Sequence, residues 1–572
     1  MQQEEPDQQF SIKDAISFKK DKHRVEIRKK NIQATLKNKR LNNFISTMQN
    51  TSDNSQQNNF VMQDFNSQDL NQEQGNNEIT IQFYIQTINQ ECDNNQFLNQ
   101  SDKISRCLKI LNSHLLCTIK ATDLEYQQQQ LIQFMRSGGC ECVLQFCAEK
   151  YDQVPLLQVQ SIGMIGNIFS LNKCSILSFL IQSGVVGYLI KLLFRLSEFI
   201  LAEQQLQQTS SDLKNELLSE TFRTIANMAG ESYEYRIELC QYGLIKYLNS
   251  DLFWKICLNS SKQIVANIIF LIKNMLCSTP SLKEETNEEL IPLVSAFFLN
   301  NDLSLESLQD CVLSIRSYAK FGNTISRAKM LSQGGVFEKI HDLINPKLNT
   351  DFSIVYYAMT TLKDYMKYQN RQAEYVFNIK GDQIFEFLEY YLNGDIKIKN
   401  LNEKDQQSAA GDLQSQAIEI LHLYVLCDDP LFFTFIYEQG IKLIQLIMKI
   451  AIYSPNNKIN YKAKEFLFTS IQRSTYEQQK QLVSLNILQV ILDAIQEDEI
   501  QFMYKGLRSL VQLLQVAESQ IGQSPEYEQT NYVKDIMERS YQFRQVIESI
   551  QSHPNNDIYE LANEILENYF KN

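Results

Sequence analysis

The chain is poor in residues that interrupt helices. Its 572 residues include only 18 glycines and 9 prolines, which argues against a turn-rich β protein and for mostly helix. Histidine is scarce, and His23, His114, His341, His422 and His553 are dispersed without HExxH or CxxC…H spacing, so no zinc signature is present. No Walker or GxGxxG sequence follows a strand, and SGGC (137–140) lies at an inter-helix turn. No catalytic constellation, metal site or cofactor motif is therefore assigned. Long apolar runs are missing too: Val185–Leu196 is broken by Lys191 and Arg195 and is too short to span a bilayer. The first ten residues, MQQEEPDQQF, are acidic and polar, unlike a secretory leader. A soluble, intracellular, non-enzymatic protein with no membrane partner is expected. The twelve cysteines lack framework spacing, Cys140 and Cys142 coming closest to a pair. They read as helix-buried thiols in a reducing compartment.

Charge is unevenly distributed. Residues 1–40 hold eleven Lys/Arg and six Asp/Glu, leaving 43 basic against 61 acidic residues and a charge of −18 on the remainder. A cationic arm on an anionic body can bind that body or a second acidic partner, so competition between the two is a natural mechanism. The acidic body disfavours nucleic acid as a ligand. Four segments follow: an acidic tail (1–12), the basic arm (13–41), a Gln/Asn-rich flexible linker (42–78) and a helical region (79–571).

That helical region is self-similar. GMIGNIFS…LIQSGVVGYLIKLL (163–194), RTIANMAG…LCQYGLIKYL (223–248) and SIRSYAKFG…MLSQGGVFEKIHDLI (314–344) repeat one phrase: helix, short turn, helix, small residue, helix. Polar reference positions fall at Asn167, Asn227, Asn274, Tyr318, Asp364, Tyr424 and Ser470, spaced 60, 47, 44, 46, 60 and 46 residues apart. The two long intervals contain polar insertions, roughly Ser197–Asn215 and Gly394–Gln414. Removing them restores the period of an armadillo or HEAT repeat, whose units bury their apolar faces on one another. The expected fold is all-α: an armadillo-repeat, right-handed superhelical solenoid of about ten repeats, the last at about 541–571, with a disordered or helical basic arm. Gly184, Gly243, Gly335 and Gly440 stand at the turn before the third helix, a position suited to φ > 0 or close packing.

Three stretches resemble the importin α (karyopherin α) family of nuclear import adaptors. FKKDKHRVEIRKKNIQATLKNKR (18–40) is similar to that family's importin-β-binding region. NMAGE (227–231) and KNMLCSTP (273–280) resemble its N-I-A-G-D and S-N-L-C-R-N turns. IQSHPNNDIYELANEILENYF (550–570) is similar to its last repeat. The resemblance implies a groove in which each third helix presents a Trp and, four residues on, an Asn on the same face. The Asn side chains would bond the backbone of a basic peptide, and the rings would hold its lysine stems. It implies groove residues Asn167, Asn227, Glu231, Phe270, Asn274, Tyr318 and Phe466. It also implies an arm of Lys19, Lys20, Arg24, Arg28, Lys29, Lys30, Lys37, Lys39 and Arg40. That arm would bind importin β or fold back on the groove. The implied partners are importin β, cargo with basic signals, and a nuclear export receptor with Ran-GTP at Tyr541–Phe570. The implied location is cytoplasm and nucleus, by shuttling.

The departure lies at the Trp positions, which read Gly163, Arg223, Phe270, Ser314, Thr360, Ile420 and Phe466. Only two keep an aromatic ring, and Arg223 puts a cation where a cargo lysine stem belongs. A cation–π contact is worth about 0.5–2 kcal/mol, so losing two or three weakens an ordinary basic signal by roughly 10- to 10⁴-fold. Pairing of Arg223 with Glu231 or an acidic cargo residue is one accommodation. The alternative reading is an armadillo scaffold for acidic or hydrophobic partners in a cytoskeletal or regulatory complex.

Overall fold

The computed structural model describes residues 77–93, 97–120, 124–169, 180, 182–205, 212–348, 351–367, 383–394, 396, 403–427, 436, 437, 440–521 and 530–570. Among these there is no strand. No helix among them is long and apolar enough to cross a membrane. The basic arm and nearly all of the Gln/Asn-rich linker lie outside the described residues. The chain divides into two compact units, residues 1–185 and 186–572.

In the first unit, Ser101–Lys120 packs against Pro155–Phe169, with Asn77–Asp93, Leu124–Arg136 and Gly139–Leu144 around them. Ile85, Leu108, Phe134, Phe146, Ile162 and Ile165 are buried between these helices. Two polar ties fix the register of the central pair: Gln160 Nε2 donates to Ser105 Oγ at 2.8 Å, and Asn167 Nδ2 to Asn112 Oδ1 at 3.1 Å.

In the second unit a ladder of long helices recurs: Asp212–Glu231, Lys262–Cys277, Leu305–Phe321, Phe352–Met366, Glu403–Leu426, Asn457–Arg473, Ile500–Ser519 and Asn556–Tyr569. Each packs on the next. Their apolar side is covered by shorter helices such as Ile291–Leu299, Val336–Ile344, Ile441–Tyr453 and Ile487–Ile495. Five of these long helices begin on side-chain caps. Ser261, Ser304, Asp351, Asn456 and Asn555 each accept from a backbone N–H two or three residues ahead, each cap contributing about 1 kcal/mol.

Between the shorter helices the chain reverses through a left-handed residue. Gly243 has φ 92° and Gly335 φ 83°, and Asn486 takes the same conformation at φ 74°, tolerated because Asn is less strained there than most side chains. Gly440 instead has φ −102°. It serves close packing, since a Cβ there would sit 2.9 Å from the Ile436 carbonyl oxygen. The polar insertions do not form loops throughout. Val185–Gln205, Asp212–Glu231 and Glu403–Leu426 extend into them as helix.

Ten described cysteines are free thiols, seven of them buried. Burial pushes the Cys140 and Cys257 thiols up to about 12 and Cys240 up to about 11.

Candidate functional site

A helix in a stack is covered by its neighbours and by the short helices, so its fourth side is what remains for ligands. On Lys262–Cys277 that side carries Gln263, Ala266, Phe270 and Cys277. On Leu305–Phe321 it carries Gln309, Leu313, Arg316 and Lys320. On Asn457–Arg473 it carries Lys458, Lys462, Glu465 and Thr469. The three- and four-residue intervals are those of one helix face.

Across this face, side chains bridge neighbouring helices in a regular register. Asn267 Nδ2 donates to the Ser219 carbonyl and hydroxyl oxygens at 2.9 Å each, and Asn274 Nδ2 donates to the Ala226 carbonyl at 2.7 Å. Arg316 Nε pairs with Asp364 at 2.7 Å. Lys363 Nζ donates to Gln416 at 2.8 Å and to Glu419 at 2.6 Å. Lys462 Nζ reaches Ser415 Oγ at 2.6 Å and also pairs with Glu419. His422 Nε2 meets Thr469 Oγ1 at 2.9 Å, and Lys505 pairs with Glu465 at 2.8 Å.

Asn227, Glu231, Phe270 and Asn274 lie on two adjacent long helices, Asp212–Glu231 and Lys262–Cys277, joined by the Asn274–Ala226 bond. Gly230 allows this approach, because a Cβ there would stand 3.0 Å from Asn274 Nδ2. Phe270 is half-buried, and Lys273 Nζ lies 4.6 Å from its ring centroid. The chain thus supplies its own cation to a ring that the family resemblance reserves for cargo. Arg223 donates through Nε and Nη2 to Glu220 at 2.9 and 2.6 Å, not to Glu231. Asn167 is in the first unit, bonded to Asn112.

Tyr318 and Phe466 fall elsewhere. The Tyr318 ring is buried and its hydroxyl donates to the Asn287 carbonyl at 2.8 Å. Phe466 is 1% exposed, edge-on to His422. Neither offers a ring face to a ligand. Ile420 and Tyr424, from the same count, are fully buried. The reason is angular: one residue turns a helix by about 100°. Spacings counted between polar helix-end residues do not hold that angle, so on the later helices the charged positions that reach across to neighbouring helices are Arg316, Glu419 and Glu465, half-buried, and Lys363, buried.

The residues that the spacing count passed over are the charged ones. Burial, reinforced by Lys367, Arg316 and Lys458, lowers the Lys363 ammonium to about 8 despite Asp364. Burial also lowers Lys462 to about 8, helped by Lys363 and Lys367 and opposed by Asp412 and Glu465. Burial likewise lowers His422. The signal in the sequence is the recurrence of Lys and Glu at helical spacing in KDYMK (363–367) and KINYKAKE (458–465). Among the described residues, no group of His, Cys, Asp and Glu is placed to hold a metal ion.

A family model described as an atypical Arm repeat matches residues 544–572. The chain has an armadillo-repeat fold. The crystal structure of an engineered protein aligns with 80% of this chain and 99% of its own, at a TM-score of 0.54 and 14% identity. A designed armadillo repeat protein aligns with 44% of this chain and 98% of its own, at a TM-score of 0.31 and 16% identity. A search of curated protein sequences finds no match. Armadillo solenoids are typically non-catalytic scaffolds that bind partners on the stacked helices.

Proposed function

We propose that this armadillo protein is a nuclear transport adaptor of the importin α kind. It would hold a cargo peptide on the long-helix face and bind importin β through residues 13–41. The observation that carries the reading is at the C-terminus: the atypical Arm repeat match at 544–572 falls on the stretch 550–570 whose sequence resembles the last repeat of those adaptors. The placement of Asn227, Glu231, Phe270 and Asn274 on two adjacent long helices supports a peptide site there. Glu231 would meet a cargo lysine, and the exposed side of Phe270 would take its stem. Lys37, Lys39 and Arg40 would occupy the same place when importin β is absent, lowering apparent cargo affinity until importin β captures the arm. The protein would then shuttle between cytoplasm and nucleus. Tyr541–Phe570 would meet the export receptor with Ran-GTP.

The test is a fluorescence-anisotropy titration of a basic signal peptide against the full chain, with and without importin β, and against a chain beginning at Asn77. Binding that tightens on importin β addition or arm removal supports the adaptor. No binding in any arm, with no capture by importin β, overturns it. A second reading, a scaffold for acidic partners, is favoured by one observation: Arg223 and Lys273 already place cations at the positions where a basic cargo would insert its own.

A further inference from the structure

The middle of the long-helix face is over-supplied with cations. On Leu305–Phe321, Phe352–Met366 and Asn457–Arg473, and at Lys367 just beyond the second of these, stand Arg316, Lys363, Lys367, Lys458 and Lys462. The carboxylates facing them are Asp364, Asp412, Glu419 and Glu465, the last of which acts on Lys462 while also pairing with a sixth cation, Lys505. Glu419 serves Lys363 and Lys462 at once. Lys367 and Lys458 are exposed and make no ion pair with any described residue. A chain with net charge −13 has thus concentrated positive charge on the side of its helices that no described short helix covers. Arg316, Lys367 and Lys458 act repulsively on Lys363, as Lys363 and Lys367 do on Lys462, and a ligand that brings carboxylates relieves the repulsion.

We propose that the face around Lys363, Lys367, Lys458 and Lys462 is a docking site for an extended peptide segment rich in Asp and Glu. The proposal rests on the reading that the long-helix face binds peptides, and it assigns this part of the face a ligand of opposite charge to a basic signal. The three consecutive helices Phe352–Met366, Glu403–Leu426 and Asn457–Arg473, at about 8–10 Å spacing, extend over about 20 Å, the reach of about six extended residues. Lys367 and Lys458 would pair directly with ligand carboxylates. Lys363 and Lys462, held by Gln416, Ser415 and Glu419, would supply the fixed field between them.

The experiment is an anisotropy titration of fluorescein-labelled octaglutamate against the full chain. A neutral Gly/Ser octapeptide and the variant K367E/K458E serve as comparisons, with unfolding midpoints establishing that the variant folds. Octaglutamate is expected to bind at least tenfold more tightly than the neutral peptide, and the variant to lose at least tenfold. Binding should also fall about tenfold between pH 7 and 9, where Lys363 and Lys462 give up protons. Binding carried by the arm lysines would keep its strength over that range, since their ordinary value is near 10.4. Octaglutamate binding no tighter than the neutral peptide overturns the proposal, as does equal binding by K367E/K458E. If the basic signal and importin β both fail to bind while octaglutamate binding depends on Lys367 and Lys458, the adaptor reading falls and this site stands.

Discussion

Between Asp212–Glu231 and Lys262–Cys277 the long helices are joined by neutral amides, Asn267 to Ser219 and Asn274 to Ala226. Between Phe352–Met366, Glu403–Leu426 and Asn457–Arg473 they are joined by two lysines and one glutamate. Both arrangements bridge neighbouring repeats: the amide ties span 48 residues, and the lysines span 56 to Glu419 and 47 to Ser415. The amide ties satisfy their partners and leave no field behind. The charged ties cost desolvation and leave a residual positive potential. One repeat geometry therefore yields two chemically different surfaces on a single face.

Several substitutions separate these contributions. The largest effect is expected at a residue that the repeat spacing places with the face but the fold buries. Phe466→Ala should cost about 3–5 kcal/mol in chemical unfolding, whereas Phe270→Ala, half-buried on the face, should cost about 1 kcal/mol and register mainly in peptide titrations. Equal losses would mean the two rings have the same surroundings.

Next in size is removal of the charged tie as a unit, with K363M/E419Q/K462M. Buried ion networks replaced by neutral side chains are often neutral or stabilising by about 1–4 kcal/mol, and about 2 kcal/mol of stabilisation is expected at pH 7. The sign with pH follows from the lysines. Their folded values near 8 lie below the ordinary lysine value near 10.4. The unfolded chain therefore binds more protons between these limits, and their penalty, complete below pH 8, is relieved as pH rises through the window. The advantage of the variant over the parent should shrink from pH 8 to about 10.5. A constant difference would show that the lysines are not under strain.

Smaller again is the amide tie. Asn274→Ala should cost about 1 kcal/mol with no dependence on pH over the same range. A pH-dependent loss there would erase the contrast between the two ends of the face.

The period of the array is legible in the sequence because apolar spacing and scarce Gly and Pro leave few other folds. The left-handed turns at Gly243 and Gly335 are legible for the same steric reason, while Asn486 is hidden among many ordinary asparagines. The long helices within the polar insertions are less so, because Gln, Glu and Lys favour helix yet read as loop when apolar residues are sparse. The ligand-facing side of the helices is harder to read. Tyr318 and Ser470 mark helix ends well, but one residue of drift turns a side chain from the ligand side into the core. The lysine-rich patch needed the helices side by side, since Lys363 and Glu419 are separated by 56 residues.

The free thiols add a practical consequence. Cys92, Cys107, Cys140, Cys142 and Cys147 sit in the first unit, and Cys240, Cys257, Cys277, Cys311 and Cys427 are spread along the second. The buried thiols with raised values, Cys92, Cys107, Cys140 and Cys311 among them, stay protonated and shielded from alkylating reagents near neutral pH. Each buried thiol becomes reactive only when its own stretch opens. Pulsed alkylation followed by peptide mass spectrometry should therefore time the opening of individual repeats without any introduced label. If Cys311 and Cys140 react in step under mild denaturant, the two units open cooperatively; staggered labelling would resolve a sequence of partial openings.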